Sequence, residues 1–225
     1  MSLQALFSPE SIAIIGASTR PGAVGNDVVK NILSYGYAGK VYPVNPKADT
    51  LLGLACYPDL KSIGTSVDLA IIVIPAAGVP AVLAEAAALG IKQAIIISAG
   101  FRETGADGTA LEEAVIKTAQ ENGISLLGPN CLGYLHPSAG LNASFAKQMP
   151  QPGNISFFSQ SGALSTALLD MTADSLGFSH FVSIGNKAIL SEADFLEYFA
   201  DEPATEVIGF YTEGLTDAPL LVKRG

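Results

Sequence analysis

Ser11-Ile12-Ala13-Ile14-Ile15-Gly16-Ala17-Ser18-Thr19-Arg20-Pro21-Gly22-Ala23-Val24-Gly25 is the stretch on which the fold of this chain turns. Its first five residues form an apolar, β-branched run of the length of a buried parallel strand, stopped by glycine. Beyond the turn, Val24, Val28, Val29, Ile32 and Leu33 recur at helical spacing, which turns one apolar face toward a sheet. The stretch therefore reads as strand, glycine turn, helix. Such a turn crowds backbone N–H groups at a helix N-terminus, where unpaired donors and the helix dipole attract an anion such as phosphate. The dinucleotide fingerprint is Gly-x-Gly-x-x-Gly, but here five residues separate Gly16 from Gly22, with Gly25 at the usual interval after it. That longer turn argues against ordinary NAD binding. Taken alone it is equally compatible with a plain βα connection.

Working outward, the 225 residues are 49% hydrophobic, ample for one large α/β domain or two small ones. The longest apolar runs, Ala70 to Ile74 and Ala94 to Ile97, are of strand length, so no membrane span is expected. The N-terminus carries no basic region followed by an apolar stretch, and Cys56 and Cys131 are the only cysteines. Both features suit a cytoplasmic protein without a thiolate metal site. A net charge of -9 without a Lys or Arg cluster disfavours nucleic acid as a partner. A phosphorylated small ligand is still allowed, because local amides and one or two lysines can hold it. His136 and His180 are read as structural or solvated.

Along the chain, Lys40 to Lys47 forms a second strand running into a proline-rich loop. NAD enzymes place an acidic residue at the end of this strand, whereas Asn45 and Lys47 stand here. A cation there suits a ribose that bears a phosphate, and an exposed loop lysine is the plain alternative. Strands at Asp68 to Ile74, Gln93 to Ile97 and Ile124 to Leu127 alternate with helices at Val79 to Leu89 and Leu111 to Gln120. This alternation implies a parallel sheet with its ligand beyond the carboxyl ends of the strands. From Tyr134 to Gly153 the pattern lapses, only Leu141 to Phe145 resembling a strand, and a domain boundary is placed near residues 146 to 153. The domains are then 1–147 and 148–225. In the second, strands at Asn154 to Phe158, His180 to Ile184 and Val207 to Tyr211 alternate with helices at Leu164 to Ala173 and Ala193 to Phe199. Three strands make a small sheet, so this domain reads as incomplete.

Several loops read together: Ile15-Gly16-Ala17-Ser18 with Gly25, Tyr42-Pro43-Val44-Asn45-Pro46-Lys47, Ile97-Ser98-Ala99-Gly100-Phe101, Gly128-Pro129-Asn130-Cys131-Leu132-Gly133, Gly140-Leu141-Asn142-Ala143-Ser144-Phe145, Ser159-Gln160-Ser161-Gly162-Ala163 and Gly185-Asn186-Lys187. In this order they resemble the NDP-forming acyl-CoA synthetases, the group of ADP-forming acetate-CoA ligase and, more distantly, the succinyl-CoA ligase alpha subunit. The resemblance runs from about Ser8 to Gly214.

It implies a Rossmann-like CoA-binding domain, a doubly wound parallel sheet, followed by a flavodoxin-like α/β ligase domain that is truncated here. It also implies that Gly16, Ala17, Ser18, Gly22 and Gly25 lie along the nucleotide of coenzyme A, with Val44, Asn45, Pro46 and Lys47 around its ribose or adenine. Pro75, Ser98, Ala99 and Gly100 would line the pantetheine side, and Asn130 would sit near the thiol. Ser161 and Gly162 would hold phosphate, a role that a helix start offering free amides and a hydroxyl can serve, although Ser161 as a plain N-cap needs no ligand. Glu213 matches a catalytic Glu that orients a phosphorylated His. That His belongs to a segment beyond Glu213 that these residues do not include, and neither His136 nor His180 stands in a matching motif.

The expected activity of the complete protein is acid-thiol ligation, acyl-CoA + ADP + phosphate giving acid + CoA + ATP, with ADP or ATP and Mg held by a separate ATP-grasp domain or subunit. A small carboxylic acid is the second substrate, and a homo-oligomer fits the resemblance. The alternative is a non-catalytic CoA-sensing module of a protein lysine acetyltransferase. An NAD(P) oxidoreductase is disfavoured by the stretched turn and by the missing acid after the second strand.

Overall fold

In the computed structural model the described residues are 3–215. The first unit is a five-stranded sheet of β1 (Ser11–Ile15), β2 (Lys40–Val44), β3 (Leu69–Ile72), β4 (Gln93–Ile96) and β5 (Ser125–Leu127). Its order is β2-β1-β3-β4-β5, with every pair parallel. Helices α1 (Val24–Ser34), α2 (Val79–Ala88) and α3 (Ala106–Asn122) make the crossovers. Both faces of the sheet are covered, which is why β1 is a continuous apolar run rather than an alternating one. Ile12 and Ile14 pack with Val28, Val29 and Ile32 of α1, while Ala13 and Ile15 share the opposite layer with Leu83 of α2 and Val115 of α3. Burying each such large side chain stabilises the fold by about 1.5–3 kcal/mol. Helix α3 starts five residues ahead of its expected start, Gly105 leading into it with φ +106°.

The second unit differs from the sequence reading in strand number. Besides β8 (Gln151–Ser159), β9 (Gly177–Ser183) and β10 (Val207–Tyr211), its sheet takes in the hairpin β6 (Gly133–His136) and β7 (Leu141–Ser144). The order is β10-β8-β9-β6-β7, parallel across β10-β8-β9 and antiparallel across β9-β6-β7. Five strands thus replace the expected three. The hairpin gives little hydrophobic signal, since each strand has four residues and the buried positions include Asn142 and Ser144. Helices α4 (Gly162–Thr172) and α5 (Glu192–Ala200) complete the unit.

By strand pairing, the second sheet takes up the chain from Gly133, ahead of the stretch near residues 146 to 153. The hairpin also holds the two units together. Asn31 of α1 donates from Nδ2 to the carbonyls of Ser144 (2.9 Å) and Ala146 (2.8 Å). One apolar core runs on from Ile12 and Ile32 through Tyr134 and Leu141 to Phe158 and Phe199. His180 is fully buried in it, its ring 4.1 Å from that of His136 and 5.3 Å from that of Phe7.

Candidate functional site

Each sheet has a place where the chain reverses its direction of winding. From β1 the chain first moves outward to β2 and then returns to the other side of β1 as β3, so the loops leaving β1 and β3 diverge and open a crevice beyond Ile15 and Ile72. The second sheet repeats this around β8, with β9 on one side and β10 on the other, opening a crevice beyond Ser159 and Tyr211. The two crevices face one cavity of about 870 Å³. Gly16, Gly25 and Ser98 line it from the first unit, Ser161, Gly162 and Glu213 from the second.

The first turn is built by close backbone approach. Gly16 has φ +92°, and a Cβ there would lie 2.2 Å from the Val73 carbonyl oxygen. A Cβ on Gly25 would lie 2.0 Å from the Gly16 oxygen, so α1 begins in direct contact with the turn. Glycine is required at both positions. Two asparagines pin the loop: Asn26 donates to the Ser18 carbonyl and Asn45 to that of Ala17, each at 2.7 Å. Asn45 also accepts from the Lys47 amide at 2.8 Å, so its polar atoms shape the site. Ala23 supplies no side-chain cap to α1, and Ala23, Val24 and Gly25 all face the cavity. That helix start is therefore open to an anion.

A second cavity of about 590 Å³ adjoins the first, and Gly16, Ser18, Val73 and Ile74 border both. Ala17, Val44, Asn45, Pro46, Lys47 and Pro75 line it. One continuous cleft thus runs from the end of β2 to the gap between the units. Gly22 and Gly100 line neither cavity. Gly22 is exposed with φ +76°, shaping the turn, and the Gly100 amide donates to Glu103 at 2.6 Å.

At the middle of the cleft, Ser98 donates to the Ile74 carbonyl at 2.5 Å and Asn130 donates from its amide to the Ser98 carbonyl at 3.0 Å. Asn130 takes a left-handed φ of +57°, which asparagine tolerates, and its side chain is on the cavity wall. Neighbouring Cys131 has its thiol pushed up to about 12 by burial, so it stays protonated at neutral pH. Ala99 lines the same wall.

Across the cleft, α4 is capped by Ser161, whose Oγ accepts from the Leu164 amide at 3.2 Å. The plain N-cap role is therefore present, and Gly162 beside it faces open space. Glu213 is exposed, and its amide donates to Gln160 Oε1 at 3.0 Å, so Gln160 ties the start of α4 to the Glu213 segment. Two helix N-termini, α1 and α4, thus converge on one cavity. That suits an anionic ligand despite the net charge of -9.

Two groups the sequence left unassigned support this site, of which Asn186 and Glu103 line the cavity itself. Asn186 lies between Glu103 and Glu112, and Lys187 pairs with Glu192. The only signal for them was the Gly185-Asn186-Lys187 loop itself. Among the described residues no cluster of His, Cys, Asp or Glu could hold a metal ion, and no helix is long and apolar enough to cross a membrane.

Comparison with known proteins places this geometry. A family model described as CoA binding domain matches residues 10–137. The chain belongs to the CoA-binding domain family. Behind this CoA-binding domain, residues 152–224 match the succinyl-CoA ligase like flavodoxin domain. Among curated relatives, an acetate-CoA ligase [ADP-forming] I of Archaeoglobus fulgidus is 45% identical over 216 residues, 96% of this chain and 31% of that protein. The alpha subunit of acetate-CoA ligase [ADP-forming] I of Pyrococcus furiosus is 44% identical, over 96% of this chain and 48% of that subunit. Among solved structures, the apo dinucleotide forming acetyl-coenzyme A synthetase 1 of Ca. Korarchaeum cryptofilum superposes with a TM-score of 0.95 at 42% identity, covering 99% of this chain and 49% of that one. The chain spans less than half the length of each of these three. Its fold is a Rossmann-like CoA-binding domain followed by a flavodoxin-like unit.

Proposed function

We propose that this chain is the CoA-binding and phosphate-cradling portion of an ADP-forming acid-thiol ligase acting on a small carboxylic acid. The observation that carries the reading is the convergence of two switch-point crevices, each with a helix N-terminus, on one cavity with Glu213 on its wall. The cleft fits coenzyme A: the narrow glycine turn admits a pyrophosphate against backbone amides, the cavity beside Asn45 and Lys47 takes the nucleoside end, and the inter-unit cavity receives the thiol end.

In this reading Lys47 faces the ribose phosphate, Ser98, Ala99 and Asn130 border the pantetheine arm, and Gly162 with Ser161 offers amides and a hydroxyl to a phosphoryl group. Glu213 accepts a hydrogen bond from a phosphorylated His supplied by another segment of the ligase, orienting its ring. A covalent relay of this kind splits one difficult transfer into easier ones. ADP or ATP and Mg would bind a separate ATP-grasp domain or subunit. That the relatives quoted above are ligases or ligase subunits favours this reading over a regulatory acetyltransferase module.

Calorimetry with CoA, dephospho-CoA and NAD tests it. CoA is expected to bind tightest; NAD binding as tightly as CoA would remove the reading.

A further inference from the structure

The turn Gly185-Asn186-Lys187, which follows β9, is zipped onto the loop that follows β5. The Asn186 amide donates to the Pro129 carbonyl at 2.8 Å and the Ala188 amide to that of Gly128 at 3.0 Å. Gly185, with φ +57°, lies so close that a Cβ would meet the Pro129 oxygen at 2.3 Å. Asn186 is 7% exposed and uses all of its side chain across the unit boundary. Its Nδ2 donates to Glu103 Oε2 and Glu112 Oε2, both at 2.8 Å, and its Oδ1 accepts from Asn130 Nδ2 at 3.3 Å. Arg102 donates to its carbonyl and pairs with Glu112 at 3.4 Å. Glu103 in turn accepts from the amides of Gly100 and Phe101, closing the loop that carries Ser98 and Ala99. The next residue reaches the opposite wall: Lys187 Nζ donates to Glu192 Oε1 and to the Gly214 carbonyl, both at 2.5 Å. Thr212 donates to the same Glu192 oxygen at 2.7 Å.

We propose that Asn186 is a positioning residue that sets the register of the two units, holding Asn130 and the Ser98–Gly100 loop at a fixed place opposite the Glu213 segment that its neighbour Lys187 anchors. What is positioned rests on the ligase reading; the coupling itself does not. The two acidic partners make the contact selective for an amide. Asparagine alone among small side chains gives two protons to two carboxylates while accepting one from Asn130. Aspartate at this position would set a third carboxylate against Glu103 and Glu112, and its proton would be held to higher pH by the like charges.

The test uses the 225-residue chain and its Asn186→Ala and Asn186→Asp variants, with Leu83→Ala, in the core of α2, as a control destabilised away from the cleft. The first readout is CoA affinity from pH 5 to 8. Both Asn186 variants are expected to weaken CoA at least 10-fold at pH 8, and Asn186→Asp alone to recover toward pH 5, where a protonated carboxyl donates in place of the amide. The second readout needs no ligand. Alkylation of Cys131, buried beside Asn130, is measured against that of Cys56 in the same molecule. The ratio is expected to rise at least 10-fold in Asn186→Ala and to stay within 2-fold of the unmodified chain in Leu83→Ala. An unchanged ratio in Asn186→Ala, or an equal rise in Leu83→Ala, overturns the proposal, as does CoA affinity unaltered by both Asn186 variants. If the unmodified chain binds no CoA, the function proposed above fails and the alkylation ratio alone decides this one.

Discussion

Lys187 Nζ lies 2.5 Å from Glu192 Oε1, with the two side chains only 7% and 1% exposed. A pair this deep is costly to break from one side, because the remaining charge is buried without its counter-charge, Lys187 then keeping only neutral acceptors such as the Gly214 carbonyl. Glu192→Gln is expected to destabilise the chain by about 3–5 kcal/mol, measured by urea unfolding. Lys187→Met combined with Glu192→Met should recover part of that loss.

The same pair sets an acid limit. Burial works against the charge of Glu192, but hydrogen bonds from Lys187 and Thr212 outweigh it and hold the carboxyl below its ordinary 4.5. The unfolded carboxyl takes up its proton near 4.5 and the native one only at lower pH. The contribution is therefore complete above about 4.5 and is lost as pH falls through the native value. Glu192→Gln should flatten the stability curve below pH 4.5 and leave its shape above that pH unaltered.

His180 acts at milder pH. Burial, and then the charge of His136, lower it from 6.5 to about 3, and neither ring nitrogen has a hydrogen-bond partner among the described residues. Between those values the unfolded chain binds the extra proton, so stability should fall as pH drops below 6.5, by up to about 1.4 kcal/mol per pH unit. His180→Phe is expected to remove most of this slope. A slope that persists in the variant would assign it to other groups.

The glycines of the first turn should separate by the space around them. At Gly25, Ala would meet the Gly16 oxygen, so Gly25→Ala is expected to cost about 3 kcal/mol and to abolish CoA binding. Gly22 has φ +76° but open surroundings, so Gly22→Ala should cost about 1–2 kcal/mol with CoA affinity within a few fold. Parallel unfolding and calorimetry on both variants check this.

Lys47 borders the nucleoside cavity and is exposed. Lys47→Ala should weaken CoA by about 1–2 kcal/mol and dephospho-CoA by much less. An equal loss for both ligands would give Lys47 a role other than pairing with the ribose phosphate.

Neither histidine of the chain borders the cleft cavities. His180 is fully buried, and His136 Nδ1 lies 3.1 Å from the Phe7 carbonyl. Incubated with labelled acetyl phosphate, these 225 residues are expected to gain no acid-labile phosphate by intact mass. An adduct on His136 or His180 would move the phosphorylated site away from the Glu213 wall.

Local sequence was enough for the first sheet and for the two helix starts that face the cleft. An apolar run five residues long that ends in glycine, followed by helical periodicity, can satisfy its backbone and bury both faces in few ways, so β1, the turn and α1 were legible from Ser11 to Leu33. The same holds for Ser159 to Ala163, where a strand meets an N-cap. Of the hairpin Gly133–Ser144 only the second strand was legible, as Leu141 to Phe145; the first strand and the place of both in the second sheet were not. The hairpin's strands are four residues long, and its buried Asn142 and Ser144 are satisfied within the fold: Ser144 Oγ donates to Asn142 Oδ1 and accepts from the Ala146 amide. The contacts of Glu103, Glu112, Asn186 and Lys187 were not legible either, for a related reason. Asn186 and Glu103 are 83 positions apart and meet only when two separately wound sheets dock. Sequence by itself determined that each unit places small residues at the carboxyl ends of its strands. Tertiary structure decided that the two ends face one another, because the buried polar groups that hold them there find their partners only across the packed interface.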